Sequence, residues 1–320
     1  MRGSHQVTVR NNHVQYKFTV RRNITVLRGD SATGKTTLIE MVGAYEASGV
    51  ASGVALACDV PCVVLSGNRW QENLRAIKGS IVFIDEGDPF VCSRDFARAI
   101  QKTDNYYVIA TRSSLHALPY SVEEVYGIRN VTRQRYEQVK RLYSSLYRIY
   151  GASEDVTRPD VVIVEDEKAG YQFFKALCDK SGIKCVSAKG RDNISRAVVD
   201  CDDESILVIA DGAAIGAQME ELVALRQIRN VGFFLPESFE WLILSSGLVK
   251  DSDIPQILAD PSAFIESREY FSWERFFDAL LTRRTQETYL AYKKTRLNPA
   301  YLNDHEMGQI VAQVPVLETP

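Results

Sequence analysis

Residues 29–37 read Gly29-Asp30-Ser31-Ala32-Thr33-Gly34-Lys35-Thr36-Thr37 and fit the pattern G-x-x-x-x-G-K-[ST] at every fixed position. An apolar run at 24–27 predicts a β-strand before them, and another at 38–42 predicts a helix after them. This context is typical of a loop that binds nucleotide phosphates, because backbone N–H groups and the helix N-terminus attract an anion. All nine residues are therefore predicted to line a nucleotide site. Lys35 is expected to reach the β- and γ-phosphates of ATP, and the Thr36 hydroxyl to bind Mg²⁺.

Two later strands are predicted to end in polar residues that complete this site. The run at 80–84 is apolar and is followed by Asp85 and Glu86. Asp85 is expected to hold Mg²⁺ through water, and Glu86 to polarise the water that attacks ATP. The apolar run at 106–110 ends in Thr111 and Arg112, at the sheet edge where ligands of open α/β sheets bind. Arg112 is predicted to stabilise charge on the leaving phosphate.

The order of these elements resembles the ABC/RecA-like branch of the P-loop NTPases over roughly residues 6–130. The resemblance implies a parallel sheet and ATP hydrolysis. Alternating strands at 6–9 and 14–20, with Asn11-Asn12 between them, add an N-terminal β-hairpin. The Leu-Ser-Gly-Gly-Gln motif of ABC ATPases is missing, so their head-to-head dimer is not predicted. Small-molecule kinases are the competing P-loop class, but they do not need a carboxylate at Glu86.

Length and composition predict a two-domain protein of ordinary globular type. The chain has 320 residues, 45% hydrophobic and 25% charged, with a net charge of −3. Nucleic acid would therefore have to bind a local basic patch. No apolar run is long enough for a membrane span and no signal peptide is recognised, so we expect a cytoplasmic protein that does not contact membranes. The six cysteines are expected to be reduced thiols.

The predicted layout places the nucleotide domain at 1–130, a basic connector helix and linker at 131–157, a second α/β domain at 158–245 and a helical C-terminal region at 246–320. The connector helix is expected over 133–150, where apolar residues recur at spacings of three and four. A second basic helix is expected over 273–294. Because both helical segments combine basic and aromatic residues, 133–150 and 273–296 are candidate contacts for DNA or RNA.

Acidic residues follow the predicted strands of the second domain. Glu165 follows one strand, Asp211 another, and Glu240 lies just beyond a third. Carboxyl ends of parallel strands share one edge, so these acids are predicted to bind Mg²⁺ or Mn²⁺. The layout resembles Toprim domains, especially those fused to ATPases in the OLD (overcoming lysogenization defect) nucleases. That resemblance implies metal-dependent cleavage of nucleic acid and a role in defence against phages or mobile elements.

The sequence differs from Toprim domains at one motif, and two other interpretations of the second domain compete with the Toprim one. Toprim domains carry Asp-x-Asp, whereas Asp211 is followed by Gly212 and Ala213. A response-regulator receiver would use Asp211 as phosphoacceptor and Ser238 as the switch hydroxyl, and a metal-free structural domain would use neither. Three functions are thus carried forward: an ATP hydrolase acting on nucleic acid, a nucleotide-dependent switch with an inactive second domain and a protein partner, and a small-molecule kinase. The sequence does not decide whether the chain forms a homo-oligomer.

Overall fold

The computed structural model describes residues 1–29, 33–131, 142–151 and 159–314. The chain forms two compact units. The first comprises Met1–Tyr150 with Ser262–Phe271, and the second comprises Gly151–Pro261 with Ser272–Pro320. Each unit contains a β-sheet and helices, which confirms the predicted α/β class.

The first unit is built on a nine-stranded sheet in the described part of the chain. Its strands are β1 (His5–Arg10), β2 (Val14–Val20), β3 (Ile24–Leu27), β4 (Ala55–Ala57), β5 (Cys62–Val64), β6 (Ile81–Ile84), β7 (Tyr106–Ala110), β8 (Val125–Val131) and β9 (Leu142–Arg148). Its helices are α1 (Lys35–Ser48), α2 (Trp70–Ala76) and α3 (Arg94–Ile100). The strand order is β4-β1-β2-β9-β8-β3-β7-β6-β5.

The core of this sheet is parallel, and its central strands are wholly buried. Strands β8, β3, β7, β6 and β5 are each parallel to their neighbours in that series. Every residue of β3, β6 and β7 is buried, as expected for strands covered on both faces. Because β7 lies between β3 and β6, the residues after all three strands meet at one sheet edge. These are the phosphate-loop motif, Asp85-Glu86 and Thr111-Arg112.

The predicted N-terminal hairpin is confirmed, but the sheet is mixed rather than parallel throughout. Strand β1 pairs antiparallel with β2 and β4, and β8 pairs antiparallel with β9. The segment Ser262–Phe271 joins this unit through backbone hydrogen bonds from Gly3 N to Ser262 O and from Ser267 N to Met1 O.

The prediction of a connector helix over 133–150 is wrong for residues 142–150, the part of this segment that the structure describes. Residues 142–148 form β9, which pairs with β2 on one side and β8 on the other; residues 132–141 lie outside the described residues. Pairing on both sides satisfies the strand backbone, and this tertiary contact overrides the helical spacing of its apolar residues. The first unit therefore extends to Tyr150 instead of ending at 130.

The second unit contains a four-stranded parallel sheet in the order β11-β10-β12-β13. The strands are β10 (Val161–Val164), β11 (Lys184–Ser187), β12 (Ser205–Ile209) and β13 (Asn230–Phe234). The helices are α4 (Ala169–Ser181), α5 (Ile194–Val199), α6 (Met219–Leu225), α7 (Phe239–Ser245), α8 (Ile254–Ala259), α9 (Trp273–Thr285) and α10 (Asp304–Val311). The parallel sheet and its helices agree with the α/β class predicted for the second domain.

The C-terminal helix predicted over 273–294 is shorter in the structure. Helix α9 ends at Thr285, whose hydroxyl donates to Leu281 O at 2.8 Å and accepts the Tyr292 N–H at 2.9 Å. The chain turns back after this residue. Phe276, Phe277 and Tyr292 are buried, so these aromatic residues do not form the nucleic-acid surface predicted for 273–296.

Candidate functional site

The described ends of the predicted phosphate loop have positive φ angles, and Lys35 contacts both ends. Gly29 and Gly34 have φ values of 135° and 94°, a region that favours glycine. Gly34 caps α1, so Lys35 is the first helical residue. The Lys35 ammonium donates to Gly29 O at 2.6 Å and to Thr33 Oγ1 at 3.2 Å, and the residue is buried. The Lys35 ammonium, a compact donor of three hydrogen bonds, thus links Gly29 to Thr33.

Gly34 is also fixed by a contact that the sequence did not reveal. The Tyr16 hydroxyl donates to Gly34 O at 3.0 Å, and a Cβ at Gly34 would lie 2.7 Å from that hydroxyl oxygen. Tyr16 is buried on β2, so the hairpin holds the end of the loop. The only sequence signal was an aromatic residue on the preceding hairpin.

Asp85 and Glu86, which follow β6, lie beside the N-terminus of α1, and Arg112, which follows β7, contacts Glu86. Thr36 Oγ1 lies 3.4 Å from Asp85 Oδ1, and the backbone N–H of Glu86 donates to the same carboxylate oxygen at 2.8 Å. Arg112 forms a two-pronged ion pair with Glu86, from Nη2 to Oε1 at 2.8 Å and from Nε to Oε2 at 3.2 Å. The structure thus brings Thr36, Asp85, Glu86 and Arg112 together.

Arg28, which sequence reasoning passed over, holds the loop after β7. Its side chain is buried and donates from Nη2 to Arg112 O at 3.2 Å and to Ser114 Oγ at 3.1 Å. It also reaches the Tyr150 hydroxyl at 3.3 Å. The Arg28 guanidinium is planar and always charged, so this one side chain can donate to several acceptors at once. Arg28 therefore positions Arg112 without belonging to the motifs.

Among the nine predicted loop residues, Gly29, Thr33, Gly34 and Lys35 have the contacts described above. Thr36 and Thr37 follow Lys35 in the first turn of α1 and are exposed, so their hydroxyls are accessible to a ligand. Asp30, Ser31 and Ala32 lie outside the described residues.

In the second unit, Glu165 and Asp211 meet at the carboxyl ends of β10 and β12. The Asp211 N–H donates to Glu165 Oε2 at 3.0 Å. Withdrawal from water raises the pKa of Glu165 to about 7. Desolvation, followed by the charges of Glu274 and Glu165, raises the pKa of Asp211 well above its ordinary value. Two of the three predicted metal ligands are therefore adjacent.

The third predicted ligand, Glu240, is engaged by other side chains. It lies on α7, is 1% exposed, and accepts a 2.6 Å hydrogen bond from the Tyr292 hydroxyl. The Lys294 ammonium is 3.8 Å from Glu240 Oε1 and donates to Glu274 Oε1 at 2.6 Å. Burial lowers the pKa of Lys294, but the charges of Glu240, Glu274 and Asp211 raise it above its ordinary value. We call Glu165, Asp211, Glu240, Glu274 and Lys294 the acidic cluster.

The donor arrangement does not fit the metal site predicted from Glu165, Asp211 and Glu240. Within the described ranges, no group of three or more His, Cys, Asp or Glu side chains is arranged to hold a metal ion. Gly212, which stands where Toprim domains have the middle residue of Asp-x-Asp, packs directly on backbone: a Cβ there would collide with the carbonyl oxygens of Leu235 and Pro236. Ser238 does not support the receiver interpretation either, since its buried hydroxyl caps α7 by accepting from Trp241 N at 3.2 Å.

The raised pKa of Glu165 can be tested by measuring how the stability of Glu165→Gln depends on pH. The folded-state pKa of Glu165, about 7, exceeds its ordinary 4.5. The folded state therefore binds the extra proton, and the Glu165 contribution to stability falls as pH rises between these values. Glu165→Gln should be more stable than wild type at about pH 8 and lose that advantage toward about pH 5. Thermal unfolding across this range measures the difference.

The exposed Glu167 provides the control, because Glu167→Gln changes the same charge outside the cluster. If Glu165→Gln differs from wild type in stability by the same amount at both pH values, the pKa of Glu165 in the folded protein is not raised.

No model of a known protein family matches the sequence, and no curated protein matches it. In the described part of the chain, none of the helices has the length and apolar character needed to cross a bilayer.

Proposed function

We propose that the first unit binds ATP with Mg²⁺ and hydrolyses it. The observation that carries this proposal is the meeting of Lys35, Thr36, Asp85 and Glu86 at one sheet edge, with Thr36 Oγ1 3.4 Å from Asp85 Oδ1. A hydroxyl beside a carboxylate is an all-oxygen donor set of the kind Mg²⁺ prefers. This donor set supports the resemblance to P-loop NTPases.

Each residue has a distinct role in this proposal. Lys35 exchanges its bonds to Gly29 and Thr33 for phosphate oxygens, and the N-terminus of α1 attracts the same anion. Thr36 and Asp85 would hold Mg²⁺, which neutralises charge on the phosphates when bound. Glu86 accepts a proton from the attacking water. Arg112 restrains Glu86 before ATP binds and then turns to the phosphate that leaves.

The binding step is tested with Lys35→Ala. Loss of a charged donor should weaken ATP binding by about 10- to 100-fold. Isothermal titration with ATP and Mg²⁺ gives the dissociation constant. Lys102, an exposed lysine of the same unit, supplies the control variant Lys102→Ala, for which affinity should not change. Equal affinity in Lys35→Ala and wild type would exclude residues 29–37 as the phosphate site.

For the second unit we propose a Toprim-like domain that does not cleave nucleic acid and instead serves a nucleotide-dependent switch. The supporting observation is Lys294, whose ammonium compensates Glu240 and Glu274 where a nuclease would need a metal. One positive side chain among these carboxylates reduces their attraction for Mg²⁺. The alternative, a Mg²⁺-dependent nuclease acting in phage or mobile-element defence, rests on the sequence resemblance.

A nuclease assay separates these two hypotheses. Wild type and Glu165→Ala are incubated with single- and double-stranded DNA and RNA in Mg²⁺ or Mn²⁺, with and without ATP. We expect no cleavage above background in either. Cleavage by wild type that Glu165→Ala abolishes would establish the nuclease and reject the switch.

A further inference from the structure

Among the described residues, one face of the large sheet is at least partly exposed on five strands and carries basic side chains but no acidic ones. Strands β4, β1, β2, β9 and β8 are consecutive in the sheet, and none of the five contains Asp or Glu. Their inner positions pack on α1 in the core of the first unit. We call the opposite side the open face. Five exposed side chains on the open face are basic or aromatic: Arg10, Lys17, Arg129, Tyr143 and Tyr147.

The strand register brings basic and aromatic side chains together on this face. Lys17 is directly opposite Ser145, and Ser145 is opposite Arg129, so the three form a row across β2, β9 and β8. Tyr143 and Tyr147 lie on β9 on either side of that row. Lys17 and Arg129 are both exposed, and neither forms an ion pair with a carboxylate of the described residues, so both can meet an external anion.

Both tyrosines are exposed although their strand, β9, lies between β2 and β8. Tyr143 is 43% exposed and Tyr147 42%. The Tyr147 ring lies against Gly127, where any Cβ would collide with it, and the guanidinium carbon of Arg129 is 5.7 Å from its centroid. Glycine at 127 thus lets the ring lie along the sheet. Four residues of strand separate the two tyrosines by about 13 Å, which is more than the spacing of stacked bases.

We propose that the open face binds single-stranded nucleic acid. Lys17 and Arg129, helped by Arg10, neutralise backbone phosphates, and Tyr143 and Tyr147 each stack on one unpaired base. A duplex keeps its bases inside, so it can offer only the phosphates. A second copy of this chain would bring three cations against three cations, and like charges would oppose that dimer. The site takes Tyr143 and Tyr147 from the segment 133–150, but it presents them on strand β9 and not on the predicted helix. It does not include 273–296, and it does not depend on ATP hydrolysis.

The test is fluorescence anisotropy with labelled oligouridylate and oligothymidylate of about 12 nucleotides, a duplex of equal length, and phosphatidylserine vesicles as competitor. The single strands should bind more tightly than the duplex. Tyr143→Ala/Tyr147→Ala should weaken binding about tenfold or more, whereas Tyr143→Phe/Tyr147→Phe should retain it because the rings remain. Lys17→Gln/Arg129→Gln should reduce the slope of log affinity against log salt by about 1.4.

Controls use exposed residues elsewhere. Tyr289→Ala removes a tyrosine that is 66% exposed, and Lys78→Gln/Lys102→Gln removes two exposed lysines of the first unit. Neither should change affinity. The proposal is overturned if the oligonucleotides do not bind, if the duplex binds equally well, if the control variants weaken binding as much as the open-face variants, or if the vesicles displace the oligonucleotides and bind more tightly. Circular dichroism confirms that each variant is folded.

Discussion

Glu86→Gln should lower the rate of ATP hydrolysis by about 10²- to 10⁴-fold while leaving ATP affinity nearly unchanged. Gln keeps the size of the side chain and can still accept a hydrogen bond from Arg112, but it cannot take a proton from water. A general base of this kind acts only in the transition state, so its loss lowers kcat rather than binding. Steady-state phosphate release and ATP titration on the same preparation measure both quantities.

Glu40→Gln is the matched control, because Glu40 is an exposed carboxylate on α1, the helix that begins at the phosphate loop. It should hydrolyse ATP at the wild-type rate. Full activity in Glu86→Gln would remove Glu86 from the chemistry and favour a kinase, whose substrate supplies its own nucleophile.

Lys294→Met should destabilise the second unit by about 3–5 kcal/mol. The ammonium lies between Glu240 and Glu274, and Glu240 is almost completely buried. Removing the cation leaves the buried Glu240 and the partly buried Glu274 without this counter-charge, although methionine preserves most of the packing of the lysine stem. Chemical denaturation followed by circular dichroism gives the free energy of unfolding, provided that the unfolding of the two units is resolved.

The adjacent Lys293 is exposed, so Lys293→Met removes one charge from the same stretch without touching the cluster. It should change the free energy of unfolding by less than about 0.5 kcal/mol. Adding Glu240→Gln to Lys294→Met should recover part of the loss, because one uncompensated carboxylate disappears. Equal stability of Lys294→Met and wild type would mean that solvent already screens these carboxylates, and Lys294 would no longer argue against a metal.

The features predicted correctly are those specified by short stretches of sequence. The hairpin, the strand before residue 29 and the helix after it follow from local alternation and from the glycines of one loop. The meeting of Glu86 with Arg112 also followed from sequence, because the carboxyl ends of parallel strands share an edge. The positions of these residues could be predicted from the order of strands and helices along the chain alone.

The features that were missed depend on distant partners. Tyr143, Leu146 and Tyr150 have helical spacing, yet β9 is held by β2, more than 100 residues earlier in the chain. Lys293 and Lys294 are adjacent and chemically identical, and only the turn after Thr285 directs the second toward Glu240 and Glu274. Local propensity is a weak guide where tertiary contacts decide the conformation.

Release of inorganic phosphate from ATP by the wild-type chain, with Mg²⁺ and no other substrate, tests the central claim most directly. An ATP hydrolase releases one phosphate for each ADP formed, and Lys35→Ala should abolish this release. If ATP binds but no phosphate appears, the first unit does not hydrolyse ATP under these conditions and the switch hypothesis replaces the hydrolase. If ADP forms only when a small-molecule acceptor is added, the chain is a kinase and the role given to Glu86 is wrong.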